Sequence, residues 1–208
     1  MSRKLGPVCK LCRREGAKLF LKGERCHTPK CSIQRRPYPP GMHRWRRGKR
    51  SEFSLQLREK QKVKRFYGIL ETQFRRMFAA AERSSEPTGE QLVRMCELRL
   101  DNVVTRLGFA ASRAGARQLI THGHVWLNGR KMDIPSHICS PSDVITAREK
   151  EVSQKLVKEA LEVTTFNDIP EWLERDDSQP SGTIKSAPSK DEAALEVDTN
   201  YIIELLSK

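Results

Sequence analysis

Residues 98–134 read LRLDNVVTRLGFAASRAGARQLITHGHVWLNGRKMDI, and their punctuation decides how the middle of this chain folds. Leu100, Val103, Val104 and Leu107 recur at helical spacing, and Gly108 follows as a C-terminal stop. Ser112 is placed to cap a second short helix from Arg113 to His122. Its apolar side is Ala116, Leu119 and Ile120, while Arg113 and Arg117 lie four apart on another face. Gly123 ends it. Val125-Trp126-Leu127 then has strand character, Asn128-Gly129 is the dipeptide of a tight hairpin, and Arg130-Lys131-Met132 is the return. Ile134-Pro135 breaks that strand, and after the turn Ser140-Pro141-Ser142 another runs from Asp143 to Thr146. Short helices on a small, mostly antiparallel sheet predict an α+β fold.

Upstream the pattern is helical throughout. Ser51 is a candidate N-cap with Glu52 in the first turn. Phe53, Leu57 and Tyr67 mark one side of the helix that follows, and Arg58, Lys62 and Arg65 form a basic outer face. A second helix near 69–83 carries Leu70, Phe74, Met77, Phe78 and Ala81 as a core stripe. Ser84-Ser85-Glu86-Pro87 ends it, and Thr88 with Gln91 resembles a capping box. Downstream, 152–163 has helical spacing. Pro170 opens a short helix through Leu173 with Asp168 as its cap, 178–191 has the composition of a flexible loop, and 197–206 holds a last apolar patch.

The front of the chain has a different logic. Cys9, Cys12, Cys26 and Cys31 are spaced C-x2-C, thirteen residues, C-x4-C, which can bring four thiolates to the corners of a tetrahedron around one structural Zn²⁺. His27, beside Cys26, is a competing donor that the four-sulfur set does not need. Residues 1–50 hold few apolar side chains, too few to offset the entropy of ordering the backbone. A structural zinc, worth roughly 10–16 kcal/mol in small peptides, would supply the difference. Cys96 and Cys139 stand alone and read as buried small hydrophobes.

Charge points to the partner. The chain carries 39 Lys and Arg against 26 Asp and Glu, a formal net of +13. Residues 1–50 alone hold 16 basic and 2 acidic side chains, whereas 151–208 hold 6 and 13. So uneven an excess reads as a polyanion-binding arm with an acidic tail at the other end. Arg3, Lys4, Arg13, Arg14 and Lys22 lie in that arm. Arg35, Arg36 and Tyr38 open a stiff proline-rich strand, and Arg44, Trp45, Arg46, Arg47 and Arg50 continue it, mixing phosphate pairing with stacking on exposed bases. Arg58, Lys62 and Arg65 extend the basic surface. So do Arg113, Arg117 and Gln118 beside His124, Asn128 and Lys131, a two-element face suited to the minor groove and backbone of double-stranded RNA. No apolar run approaches the ~20 residues a bilayer requires. No apolar core follows the basic N-terminus as in a secretory signal, and the metal-like cysteine spacing favours a reducing compartment. A nucleophile–base pair, a phosphate-cradling glycine loop and an open catalytic metal position are all missing, so no enzyme is predicted and no small-molecule substrate or membrane partner is expected.

The order of motifs Arg99-Leu100-Asp101-Asn102, Ser112-Arg113, Ala116-Arg117-Gln118, His122-Gly123-His124-Val125, Asn128-Gly129 and Ile134-Pro135-Ser136 resembles the S-four RNA-binding domain. The cysteine segment, Arg35 to Gly41, Arg65-Tyr67-Gly68 and the terminal Tyr201-Ile202-Ile203 resemble the bacterial small-subunit ribosomal S-four family in its zinc-bearing form. The resemblance adds Tyr67, Ser112 and His122 to the RNA-facing set. It implies a zinc-stabilised arm over 1–50, an all-α domain over 51–97 with 197–208 packed back on it, an S-four domain over 98–160, and an acidic segment over 161–208 with its loop at 178–191. It further implies a primary rRNA-binding protein that nucleates assembly at an rRNA helix junction, in a cytoplasmic or organellar ribosome. Such a protein touches the neighbouring protein S-five, with an effect on decoding accuracy. It lies near the path by which mRNA enters and in some organisms represses its own messenger. Two other readings are an RNA-modifying factor with an attached S-four module and a zinc-ribbon DNA-binding regulator; the first needs a catalytic domain the chain has no room for, the second a major-groove reading element that is weak here.

Overall fold

A computed structural model describes residues 6–42, 51–164, 168–176, 179–189 and 191–207. The chain divides into two units, one built from 1–92 and 195–208, the other from 93–194. The fold class is α+β: a helical part, and a part with a small antiparallel sheet.

The first unit starts with α1 (Cys9–Glu15), a 3₁₀ turn (Gly23–Cys26) and the single-turn α2 (Ser32–Arg35). Ser51 caps α3 (Glu52–Phe66) by accepting the Ser54 N–H. The buried face of α3 is not the Phe53–Leu57 side that spacing suggested. Phe53 is 62% exposed, and the helix buries Gln56, Lys60, Val63 and Phe66. Two polar residues occupy that stripe because Lys60 has a partner: its Nζ donates to Glu71 Oε1 at 2.8 Å. Lys64 and Arg75 reach the same carboxylate. Burial tends to raise the Glu71 pKa, but hydrogen bonds from Lys60, Lys64 and Arg75 outweigh it and hold the group at about 2. Glu71 opens α4 (Glu71–Glu82), which buries Phe74, Met77, Phe78 and Ala81 as its periodicity predicts. Leu70 is the exception, 41% exposed, because it sits outside the helix at the N-cap. Leu92 of α5 (Thr88–Glu97) and Ile202 of α9 (Thr199–Leu206) are buried, and α9 packs on α3. Tyr67 is core as well: 2% exposed, with the Phe66 ring edge-on at 4.9 Å between centroids. Its ring is not a stacking platform for a base, which corrects its place among the RNA-facing residues.

The second unit is organised by residues 98–147. α6 (Leu100–Arg106) starts where the Leu100 and Asp101 amides donate to the carbonyls of His137 and Pro135, which satisfies two of its otherwise orphaned donors. Ser112 caps α7 (Arg113–Thr121) through the Gly115 N–H. The hairpin β1 (Val125–Leu127) and β2 (Arg130–Lys131) turns at Asn128-Gly129, both with positive φ. β3 (Val144–Ala147) pairs antiparallel with β1, Trp126 opposite Thr146. The helix predicted over 152–163 is α8 (Glu151–Val163).

Beyond α8 two expectations fail. No helix begins at Pro170; Leu173–Asp176 is strand β4, and Ser181–Ile184, inside the stretch read as a flexible loop, is strand β5. The sheet order is β2-β1-β3-β5-β4, antiparallel throughout. Serine, proline and lysine dominate that composition, yet Gly182 and Ile184 alternate as buried positions and Trp172 and Leu173 join the same core. Gly182 is required there. A Cβ would stand 2.6 Å from Leu107 Cδ2, so β5 packs closely on this residue, the C-cap of α6, because no side chain intervenes. Val103, Leu107, Phe109, Ile120, Val125, Ile145 and Val157 complete the core with Cys139. Cys96 is also fully buried, and burial pushes both lone thiols up to about 12.

Candidate nucleic-acid interface

The arm gathers its chemistry by local turns. Cys9 and Cys12 share α1, Cys26 ends the 3₁₀ turn and Cys31 is the N-cap of α2. Cys12, Cys26 and Cys31 are buried, Cys9 half-buried, and all are free thiols. The Lys22 N–H donates to Cys26 Sγ at 3.4 Å. Burial raises the pKa of Cys12 and Cys26; the Leu19 and Lys22 amides pull the other way, and the neighbouring cysteines add to the rise. Cys12 thus feels the charge that Cys26, Cys9 and Cys31 would carry, and Cys26 that of Cys31 and Cys9. Among the described residues no group of three or more His, Cys, Asp or Glu side chains is placed to hold a metal ion. Four sulfurs, two of them receiving backbone amide donors, are the donor types that a thiophilic dication takes in a structural site. His27 stacks on Phe20, with centroids 5.0 Å apart, and burial lowers its pKa, with Lys18 adding to the effect.

Around the thiols stand cations. A concavity of about 520 Å³ is lined by Lys10, Arg13, Arg25, Lys30, Arg35 and Arg36 with Cys9 and Ser32. A second, of about 450 Å³, shares Lys10, Arg13 and Arg36 and adds Tyr38, Pro40, Gly41 and Met42. Sequence reasoning named Arg13, Arg35, Arg36 and Tyr38 but missed Lys10, Arg25 and Lys30. The signal was present, since Lys10 follows Cys9, Lys30 precedes Cys31 and Arg25 precedes Cys26. Arg14 and Lys22 are exposed but line neither cavity. Arg3, Lys4, Arg44, Trp45, Arg46, Arg47 and Arg50 lie outside the described residues.

The basic face of α3 is already engaged. Arg58 and Arg65 both pair with Glu15 Oε1 on α1, and Lys62 pairs with Glu59 at 2.8 Å. The Glu15 side chain is 1% exposed. Burial raises its pKa, opposed first by Arg65 and then by Arg58. These arginines fasten α1 to α3, a role their spacing on one helix could not reveal.

In the second unit α7 carries Arg113, Arg117 and Gln118. Gln118, His122 and Lys131 are exposed. A Cβ on Gly123 would lie 2.8 Å from Lys131 Cε, so the lysine stem runs over the end of α7. His124 Nδ1 is 2.9 Å from Ser153 Oγ, and its pKa is lowered by burial, then by His122 and Arg148. Asn128 is committed to the fold: its Nδ2 donates to Asp143 Oδ1 and its Oδ1 accepts the Val144 N–H, both at 2.8 Å. Ser112 likewise serves as a helix cap.

An S4 domain matches residues 98–145, and the ribosomal protein S4/S9 N-terminal domain matches residues 3–97. A helical, cation-lined front half leading into a helix–hairpin unit thus defines an S4-domain protein. Across 208 residues, and 100% of both chains, the sequence is 50% identical to the small ribosomal subunit protein uS4 of Thermoanaerobacter sp. (strain X514). It is 51% identical over the same span to those of Kosmotoga olearia and Pelotomaculum thermopropionicum. The chain belongs to the uS4 family, whose members are structural proteins rather than enzymes.

Proposed function

We propose that this chain is a structural constituent of the bacterial small ribosomal subunit, in the cytoplasm, and that it binds small-subunit rRNA through two electropositive surfaces. One is the pair of concavities in the arm, the other the α7–hairpin face. The observation that carries this reading is the convergence of six cations on one cavity that Cys9 also lines, in a chain of the uS4 family. Phosphate neutralisation then supplies affinity through counterion release, which makes binding steep in salt. Converting Lys10 and Arg25 together to Gln should flatten the salt slope by about 1.5, the share of two phosphate contacts. An unchanged slope on a small-subunit rRNA transcript would remove the arm cavity from the interface.

The same reading gives Cys9, Cys12, Cys26 and Cys31 one Zn²⁺. Bound there, zinc would supply a four-point cross-link with no reactive position. Metal analysis of the purified protein should find one zinc per chain; none would reject the zinc and leave the RNA reading standing. Binding early in assembly at an rRNA junction, contact with protein S-five with its influence on decoding, and a place near incoming mRNA follow from the family resemblance. Cross-linking in intact ribosomes, read out for RNA positions and protein neighbours, tests all three.

A further inference from the structure

Arg113 and Arg117 are not independent long side chains on an exposed helix face. The Arg113 Nε–H donates to Asn102 Oδ1 at 2.9 Å. Asn102 is fully buried, and its orientation is set in turn: Nδ2 donates to Glu97 Oε2 at 2.6 Å and to the Glu97 carbonyl at 2.9 Å. Glu97, also fully buried, is fixed by the Ala194 N–H on Oε1 at 2.8 Å. Arg117 Nη1 lies 3.6 Å from Asp101 Oδ2, and that buried carboxylate is gripped by Arg99 through Nε (3.1 Å) and Nη2 (2.8 Å). Two chains of buried polar groups therefore reach the two arginines of α7. A half-built network of this kind would be destabilising, so each member constrains the next.

We infer that Asn102 is a positioning residue for RNA binding. It never meets the RNA; it holds the Arg113 guanidinium group in a set direction before RNA arrives, while Asp101 keeps a carboxylate 3.6 Å from Arg117. Immobilising a rotamer-rich side chain on binding costs affinity, and removing that cost in advance is worth about two- to tenfold per arginine. The planar guanidinium fork suits the task, because one edge can be held internally while its plane stays fixed for a phosphate or ribose hydroxyl. This inference rests on the reading that the α7–hairpin face meets rRNA.

The salt slope separates aiming from touching. With the full chain and a small-subunit rRNA transcript, Arg113→Ala should lower both affinity and slope, because a phosphate contact is lost. Asn102→Ala should weaken binding about two- to tenfold at every salt concentration and leave the slope unchanged. Arg113→Lys keeps the charge but lacks the Nε donor and the fork. It should lose about as much affinity as Asn102→Ala, again at constant slope, and the double variant should be no weaker than Arg113→Lys alone. Thermal melting checks that Asn102→Ala still folds; if it does not, Arg113→Lys decides. Wild-type affinity in Arg113→Lys, beside a weakened Arg113→Ala, would overturn the aiming role and keep the face. Unchanged binding in both Arg113→Ala and Arg117→Ala would remove the face and the inference with it.

Discussion

The Arg13 guanidinium lies 4.9 Å over the Tyr38 ring while its Nε–H donates to the Tyr38 carbonyl at 2.9 Å. A second donor, Nη2, reaches the Pro39 carbonyl at 3.3 Å. One side chain from α1 thus pins the proline-rich segment by stacking and by two hydrogen bonds. Both cavities of the arm include Arg13 in their walls. Lysine cannot reproduce this, having neither the planar fork nor the stacking face. Arg13→Lys should keep the net charge yet release residues 38–41, at about 1 kcal/mol of local stability. Faster amide exchange confined to Gly41 and Tyr38 would show it; wild-type protection there would mean that the prolines alone hold the segment.

On the proposal that the four cysteines hold a zinc, removing it should act on the arm and spare the rest. Few apolar residues are buried between Cys9 and Cys31, with Leu19 the one large side chain fully enclosed. A zinc worth roughly 10–16 kcal/mol would dominate such a segment. After chelation, hydrogen exchange should accelerate at 9–31 and stay unchanged in α6, α7 and the sheet.

Glu71 carries a pH signature. Its folded pKa of about 2 lies below the ordinary 4.5, so the stabilisation it brings is present above pH 4.5 and is lost as pH falls through about 2. Glu71→Gln should therefore melt lower than wild type at pH 6 and together with it near pH 2. A constant gap across that range would show that Lys60, Lys64 and Arg75 do not depend on the charge.

Gly182→Ala should be an overpacking variant. The new methyl would press on both Leu107 Cδ atoms, at 2.6 and 2.7 Å, and on the Glu174 carbonyl oxygen at 3.2 Å. A loss of about 1–3 kcal/mol in urea unfolding is expected. Little effect would mean that β5 can shift away from α6 without breaking its pairing with β3.

Local signals were read well where one residue type solves one local problem. Ser51 and Ser112 cap helices because a hydroxyl can reach the third amide along, and Asn128-Gly129 turns a hairpin because both residues adopt positive φ. The basic cavity was half legible: Cys9, Arg13, Arg35 and Arg36 stood out, while Lys10, Arg25 and Lys30 passed as ordinary arm charges. Phe53 and Leu70 were misjudged because helical spacing names a face without saying which face is covered, whereas Tyr67, which spacing put on the apolar side, is buried there.

The chain's order of residues alone determined its short helices, its hairpin, its four-thiol spacing and its strongly cationic front, since each depends on neighbours within about a dozen positions. Which cations remain for a polyanion was decided only by tertiary structure. Glu15 takes Arg58 and Arg65 from 43 and 50 residues away, and β5 joins β3 across α8. Periodicity carries no term for such distant pairings. They form because a buried carboxylate must find a cation and a sheet edge must find a strand, wherever along the chain these lie.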